Sequence, residues 1–189
     1  MSIKKLLLTQ LLITVFSFSY SSILLATGEQ HMPLNLKSSD FVQMGEISAN
    51  FTCDGENISP ALNWSEIPKN AKSLVLIVDD PDAPDPAAPK MTWVHWLLYN
   101  IPVTATQLPK AVSVLTLPKG TLQGKNDWKK TGYGGACPPI GKHRYFHKLY
   151  ALDIVLPDLH EPNKAALEQA MSGHVIEHSE LVGTYQRRK

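Results

Sequence analysis

Fourteen prolines interrupt this 189-residue chain between Pro33 and Pro162, and they limit what it can fold into. Proline fixes φ and removes a backbone donor, so it breaks the interior of helices and of central strands. Eleven glycines add turn positions, while 43% hydrophobic residues leave enough apolar side chains for a core. The sequence therefore predicts a mainly β domain in which many short strands are joined by turns.

The first 26 residues are typical of a secretory signal peptide. Lys4 and Lys5 precede an apolar stretch from Leu6 to Leu25, and small residues stand near its end. An uncleaved membrane anchor is the alternative, but Ser, Thr and Gln dilute the stretch. We therefore expect an exported protein, periplasmic or secreted, with one domain over residues 27–189 and no stable membrane insertion once the leader is removed.

The charge balance argues against a nucleic-acid partner. The formal net charge of +1 becomes −1 when Lys4 and Lys5 leave with the leader, whereas nucleic-acid-binding domains carry a strongly basic surface. The sequence contains no glycine-rich phosphate loop, dinucleotide fingerprint or nucleophile elbow. We therefore expect no cofactor.

Cys53 and Cys137 are the only cysteines in the chain. In an oxidising compartment they are candidates for a disulfide, and two free thiols are the alternative. Catalysis by Cys137 would need a base such as His143 to generate the thiolate. Export favours the disulfide over the nucleophile.

The strongest strand pattern is the run Leu74–Val78, whose aliphatic and β-branched residues predict a buried central strand. The segment Asp79–Pro86 follows it and consists mainly of aspartates and prolines. Because proline cannot donate to a ladder and aspartate favours turns, we expect the strand to end there in a rigid loop. Carboxylates at the end of a strand make this loop a candidate site.

Trp93–Ile101 predicts the next strand, because its side chains alternate in character. The alternation assigns its residues to two faces: Trp93, His95, Leu97 and Tyr99 on one, and Val94, Trp96 and Leu98 on the other.

The remaining elements follow a glycine-rich segment, residues 119–141, which predicts a long shaped loop. Arg144–Leu156 resumes strand character. Lys164–Met171 predicts a helix with Asn163 as its N-cap, and His174–Tyr185 predicts a closing strand.

Four polar residues near these predicted strand ends and in the long loop could carry chemistry: Asp80, Asp82, His95 and His143. Carboxylates and imidazoles can bind a metal, act as acid and base, or help to hold an anion. A purely structural role is equally open, in which the aspartates cap a turn and His95 is a satisfied core residue. On a strand, His143 would share a face with Tyr145.

Three parts of the chain, taken together, resemble the signature of one family. They are Asp80-Pro81-Asp82-Ala83-Pro84, then Trp93-x-His95-Trp96 with Asn100-Ile101-Pro102, then Cys137-Pro138-Pro139 followed by His143-Arg144-Tyr145 and Leu149-Tyr150-Ala151-Leu152. Thr52–Trp64 is similar as well, and the resemblance extends over nearly all of residues 34–185. The chain resembles the phosphatidylethanolamine-binding proteins, also called Raf kinase inhibitor proteins, and in particular their bacterial YbhB/YbcL branch.

The resemblance implies an antiparallel β-sandwich with a few short peripheral helices. It also implies a small pocket that accepts phosphate-like anions and phospholipid headgroups. In it His95 and His143 supply donors, while Asp80 and Asp82 orient the imidazoles or accept from a ligand ammonium. The residues that match the family's pocket are Asp80, Asp82, Trp93, His95, Pro138, Pro139, His143 and Tyr145.

The same resemblance implies one cis proline peptide near the pocket, at Pro84 or Pro139. The implied function is a non-enzymatic binding module that takes a small anionic or phosphorylated ligand and could regulate a protein partner. One alternative is an inhibitor of a protease or other enzyme, acting through the rim loops Asp82–Met91 and Leu122–Gly135. Further alternatives are a hydrolase with His95 or His143 as base and a metal site built from His95, His143, Asp80 and Asp82.

Overall fold

Two antiparallel sheets pack face to face in the computed structural model, which describes residues 32–188. The strands are β1 (Asn35–Lys37), β2 (Leu62–Ser65), β3 (Ser73–Ala83), β4 (Met91–Ile101), β5 (Gln107–Leu108), β6 (Leu122–Gln123), β7 (His143–Leu152) and β8 (Val175–Tyr185). The smaller sheet has the order β1-β2-β5 and the larger one β6-β4-β3-β7-β8, with antiparallel pairing throughout. The predicted mainly β sandwich is confirmed.

The central strand β3 is buried on both faces, as its continuous apolar run predicts. Leu74 and Leu76 face the smaller sheet and belong to the main core between the sheets. Val75 and Ile77 face the other way and pack in a second apolar cluster with Leu167. That residue lies on α1 (Lys164–Met171), so a helix covers the outer face of the larger sheet.

The prediction that this strand ends at Asp79 is wrong. It continues to Ala83, with register shifts after Val78 and after Asp80. The reason lies in the sheet order, because β7 pairs with β3 only as far as Asp79. Beyond that point β3 is an edge strand on one side, where Pro81 interrupts no ladder hydrogen bond.

A β-bulge in β4 alters the predicted faces of that strand. One extra residue, His95, lies between the β4 partners of Val78 and Asp79. A bulge of this kind interrupts the alternation of side chains and re-aims the extra residue. The assignment of Val94 is therefore wrong, because its side chain packs in the same cluster as Leu97.

The later elements agree well with the predictions. Helix α1 has the predicted bounds, and the Asn163 side chain accepts a hydrogen bond from the Ala166 amide. The segment 119–141 is a loop apart from the two residues of β6, and β7 stops at Leu152 rather than at Leu156. A 3₁₀ helix, Ala49–Phe51, is the second short helix of the described residues.

Within residues 32–188, no helix is long and apolar enough to cross a membrane. The predicted signal peptide, residues 1–26, lies outside the described residues and stays a prediction.

Candidate functional site

A cavity of about 370 Å³ lies where β3, β4 and β7 come together with the long loop. These three strands are neighbours in the larger sheet, so polar residues at one end of each are brought to the same edge. Six of the eight residues expected from the resemblance line the cavity: Asp80, Trp93, His95, Pro138, Pro139 and His143. The rest of the lining is Ala83, Pro84, Met91, Trp128 and Cys137.

His143 and Asp80 form a buried hydrogen-bonded pair on the cavity wall. The His143 Nδ1 lies 2.7 Å from Asp80 Oδ2, and its Nε2 lies 2.9 Å from the carbonyl oxygen of Ile140. Both ring nitrogens therefore face acceptors, and both hydrogen bonds form together only when the ring is doubly protonated. The expected role of His143 as a donor to a ligand is not met, because no ring N–H is left for the cavity.

Asp82 lies outside the cavity lining and makes a different contact from the one expected. Its carboxylate accepts from the Arg144 guanidinium at 2.7 and 2.9 Å and from the Arg144 backbone amide at 2.9 Å. These hydrogen bonds hold the pKa of Asp82 below its ordinary value. Of the two aspartates, only Asp80 orients an imidazole, whereas Asp82 attaches the end of β3 to β7 through Arg144.

His95 is the second imidazole of the site and is only 3% exposed. Its Nδ1 lies 2.7 Å from the carbonyl oxygen of Gly134, and the Gly134 amide donates back to the His95 carbonyl at 3.0 Å. A carbonyl oxygen can only accept, so the proton is on Nδ1, and Nε2 is the ring nitrogen left for the cavity. Burial lowers the pKa of His95, against the opposite effect of nearby carbonyls and carboxylates.

Tyr145 supports the two imidazoles from behind and is not part of the cavity lining. Its ring lies edge-on to that of His95 and stacked on that of His143, with centroids 5.2 and 6.4 Å away. Burial and the nearby Asp80 carboxylate raise the pKa of the Tyr145 hydroxyl. The buried indole N–H of Trp93 has no hydrogen-bond partner in residues 32–188. Such an unpaired buried donor is unusual.

Trp128 lines the cavity and was not identified as a site residue from the sequence. Its ring meets those of Trp93 and His95 edge-on, with centroids 5.3 and 5.1 Å away. Gly134 passes directly beneath it, since a Cβ at that position would lie 2.5 Å from the Trp128 ring. The available signal was an aromatic residue in a glycine-rich loop, but only the folded loop shows which aromatic faces the cavity.

Two attachments hold the long loop against the site. Asp127 is joined to β4 in both directions, because its carboxylate accepts from the Val94 amide at 2.8 Å and its own amide donates to the Val94 carbonyl at 3.0 Å. At the other end, Cys137 is bonded to Cys53, so the predicted disulfide is present. Neither thiol is free for nucleophilic catalysis.

The Ala83–Pro84 peptide is cis, at one of the two positions expected. Pro84 itself lines the cavity. In residues 32–188, no group of three or more His, Cys, Asp or Glu side chains is arranged to hold a metal ion.

Comparison with known proteins agrees with this geometry. A family model described as phosphatidylethanolamine-binding protein matches residues 37–186. A UPF0098 protein of Methanothermobacter thermautotrophicus is 48% identical over 155 residues, which is 82% of this chain and 99% of that protein.

Solved structures give the same result. A putative phosphatidylethanolamine-binding protein homologue from Chlamydia trachomatis has a TM-score of 0.76 and 39% identity, covering 82% of this chain and 99% of its own. E. coli YbcL, described as a member of the mammalian PEBP family, has a TM-score of 0.75 and 30% identity, covering 83% and 100%. The sandwich, the matched motifs and these relatives together show that the chain belongs to the phosphatidylethanolamine-binding protein family.

Proposed function

We propose that this protein is an exported, non-enzymatic binding module whose cavity accepts a small anion or a phosphorylated headgroup. Family membership supports a binding-type protein. The observation that carries the finer proposal is the buried indole N–H of Trp93, which has no hydrogen-bond partner in residues 32–188 and belongs to a residue that lines the cavity together with His95. A ligand with oxyanion acceptors is the chemistry that this donor lacks.

The walls of the cavity suit a small polar headgroup. The Asp80 carboxylate is hydrogen-bonded to the His143 ring at 2.7 Å, so it does not face the cavity without a partner. Pro138, Pro139 and Trp128 supply apolar walls. Hydrogen bonds in such a partly dry site are stronger than in water. A volume of about 370 Å³ is ample for a phosphorylated headgroup.

The lining residues supply little for covalent catalysis. The Cys137 sulfur is in the disulfide, and the described lining contains no serine, threonine or lysine. His95 could serve as a base, but no nucleophile lies beside it. A binding role is therefore favoured over the hydrolase alternative.

Thermal unfolding of the exported protein tests the proposal. Phosphate and phosphoethanolamine should raise the midpoint, by an amount equivalent to about 2.7 kcal/mol at one hundred times the dissociation constant. Ethanolamine, which lacks the anion, should have no effect. In His95→Ala the shift should be lost, while the matched surface variant His178→Ala should keep it. Equal shifts in both variants would remove His95 from the binding site.

A second function, the docking of a protein partner as an inhibitor, is favoured by one feature of the rim. Met91, Trp128 and Ile140 are 52, 40 and 59% exposed around the cavity. Each has an exposed lysine within two residues, and these lysines have no ion-pair partner in residues 32–188: Lys90, Lys129, Lys130 and Lys142. An apolar and cationic rim fits a partner with an apolar and acidic surface.

This second function predicts that rim and cavity variants behave differently. A carboxypeptidase Y inhibitor, solved in complex with its cognate proteinase, shares this fold with a TM-score of 0.52 and 16% identity. In an inhibition assay against that enzyme, Met91→Ser and Lys90→Glu should weaken inhibition, whereas His95→Ala should leave it unchanged. Loss of inhibition in His95→Ala alone would assign the effect to the cavity, and no inhibition by the wild-type protein would exclude this enzyme as a target.

A further inference from the structure

A groove separate from the cavity follows the edge of the larger sheet at β6. Its outer part holds about 550 Å³ and its inner part about 210 Å³. The two parts share the lining residues Val114, Leu117, Gln123 and Thr131, so they form one groove that passes around the sheet edge. Among the described residues, none that lines this groove also lines the cavity beside His95.

The backbone of Gln123 is open to this groove. The Gly124 amide donates to the Leu97 carbonyl at 3.0 Å, so the antiparallel ladder makes Leu98 and Gln123 a non-hydrogen-bonded pair. The N–H and the C=O of Gln123 therefore both point away from β4. In residues 32–188 no strand pairs with that side of β6, which leaves an unpaired sheet edge inside the groove.

Two buried side-chain atoms of the groove have no hydrogen-bond partner in residues 32–188. Trp96 lines the inner part and is 2% exposed, and its indole N–H is one of them. The other is the hydroxyl of Thr121, which lines the outer part. Unpaired buried polar atoms are rare in native structures. An occupant that brings an acceptor to Trp96 would supply the missing hydrogen bond.

The two parts of the groove differ in charge. No charged residue lines the inner part, whereas Asp158 and Glu161 line the outer part without a lysine or arginine among its lining residues. Glu161 is paired with Lys125 at 3.1 Å. Asp158 accepts from the His160 amide and the Tyr99 hydroxyl, and these hydrogen bonds hold its pKa below the ordinary value. The His160 imidazole, 3.6 Å from Asp158, is 86% exposed, so it balances little of this charge.

We propose that this groove binds an extended peptide segment of a partner protein, which adds to β6 as a further strand and alternates basic with hydroxyl- or amide-bearing residues. A strand in this position pairs its backbone with Gln123 and sends successive side chains to opposite sides of the sheet. The hydroxyl or amide side chains then face Trp96, and the basic ones face Asp158. The inference does not depend on the anion-binding function proposed for the cavity.

Nuclear magnetic resonance titration of the ¹⁵N-labelled wild-type protein at pH 7 tests the proposal. The probes are the blocked peptides acetyl-Thr-Lys-Thr-Lys-Thr-amide and acetyl-Thr-Glu-Thr-Glu-Thr-amide. The lysine peptide should shift the indole signal of Trp96 and the amide signal of Gln123, while the indole signal of Trp93 in the cavity stays in place. The glutamate peptide should bind about tenfold more weakly, because its charge is repelled by Asp158.

Three variants separate the parts of the inference. Asp158→Asn should remove the preference for the lysine peptide, whereas Asp153→Asn, a matched change of an exposed aspartate that does not line the groove, should keep it. Gln123→Pro removes the N–H of the sheet edge, where proline is tolerated, and should weaken binding about tenfold.

Three results would overturn the inference. One is equal affinity of the wild-type protein for the two peptides. Another is a titration in which the lysine peptide leaves the Trp96 and Gln123 signals in place or shifts only the Trp93 signal. The third is a shift of the Trp96 and Gln123 signals by glucose but by neither peptide, which would assign the groove to a carbohydrate.

Discussion

His143 Nδ1 and Asp80 Oδ2 lie 2.7 Å apart, with 0 and 5% of the two side chains exposed, where β7 meets β3. A second pair of the same chemistry, His174 with Asp153 at 2.9 Å, has 41 and 45% of its side chains exposed. Burial is therefore the main difference between them. Removing one partner of a buried pair leaves an uncompensated charge, whereas an exposed charge remains solvated.

The two pairs should respond very differently to loss of the imidazole. His143→Leu leaves the Asp80 carboxylate buried without its partner and should lower the free energy of unfolding by about 3–5 kcal/mol. His174→Leu should have a much smaller effect. Urea unfolding at pH 7 measures the free energy of unfolding of both variants. Losses of equal size would mean that burial does not increase the contribution of the His143–Asp80 pair to stability.

Acid should destabilise the protein through His147. This residue is 1% exposed, and burial lowers its pKa to about 4. The unfolded chain takes up the proton near pH 6.5, so between pH 6.5 and 4 it holds more protons than the folded chain. Stability should be full above pH 6.5 and fall by about 3 kcal/mol as the pH drops to 4.

The neutral variant His147→Gln isolates this effect. Its free energy of unfolding is measured by denaturant titration from pH 7.5 to 4. Over this range it should fall by about 3 kcal/mol less than that of the wild type. Parallel curves for the two proteins would assign the acid sensitivity to other groups.

The disulfide should contribute strongly to stability because it closes a long loop. Cys53 and Cys137 are 84 residues apart in sequence. The chain-entropy model gives about 4–5 kcal/mol for a loop of this size. The double variant Cys53→Ser/Cys137→Ser should lose a large part of that free energy, as should the reduced wild type. Mass measurement after alkylation without reductant checks the premise, since two labelled thiols in the purified protein would contradict it.

Gly134 should tolerate no larger residue while Trp128 keeps its position. An added Cβ would lie 2.5 Å from the Trp128 ring, so Gly134→Ala should cost about 1–3 kcal/mol and weaken binding of phosphoethanolamine. In a Trp128→Ala background the same substitution should cost much less, because the clash is gone. A double-mutant cycle measures this coupling, and additive effects would show that the two residues are independent.

Some of the fold could be predicted because its cause is local. The run Leu74–Val78 has no polar position, so only a strand covered on both faces suits it. Helix α1 begins after Asn163, whose side chain accepts a hydrogen bond from the backbone amide of Ala166. The continuation of β3 through Pro81 could not be predicted in this way. It depends on the pairing between β7 and β3 ending at Asp79 while β7 continues beside β8, which is a property of how the strands are registered in the sheet.

The site shows the same division between local pattern and tertiary structure. The motifs of the sequence by themselves identified the family and, through that resemblance, six of the eleven residues that line the cavity. Only the tertiary structure decided the partners: Asp82 with Arg144, His95 with Gly134, and Trp128 over the cavity. These contacts join residues 33–62 positions apart in the chain. Hydrogen bonds of under 3 Å between such distant residues depend on strand register and on one bulge, which no local pattern of residues specifies.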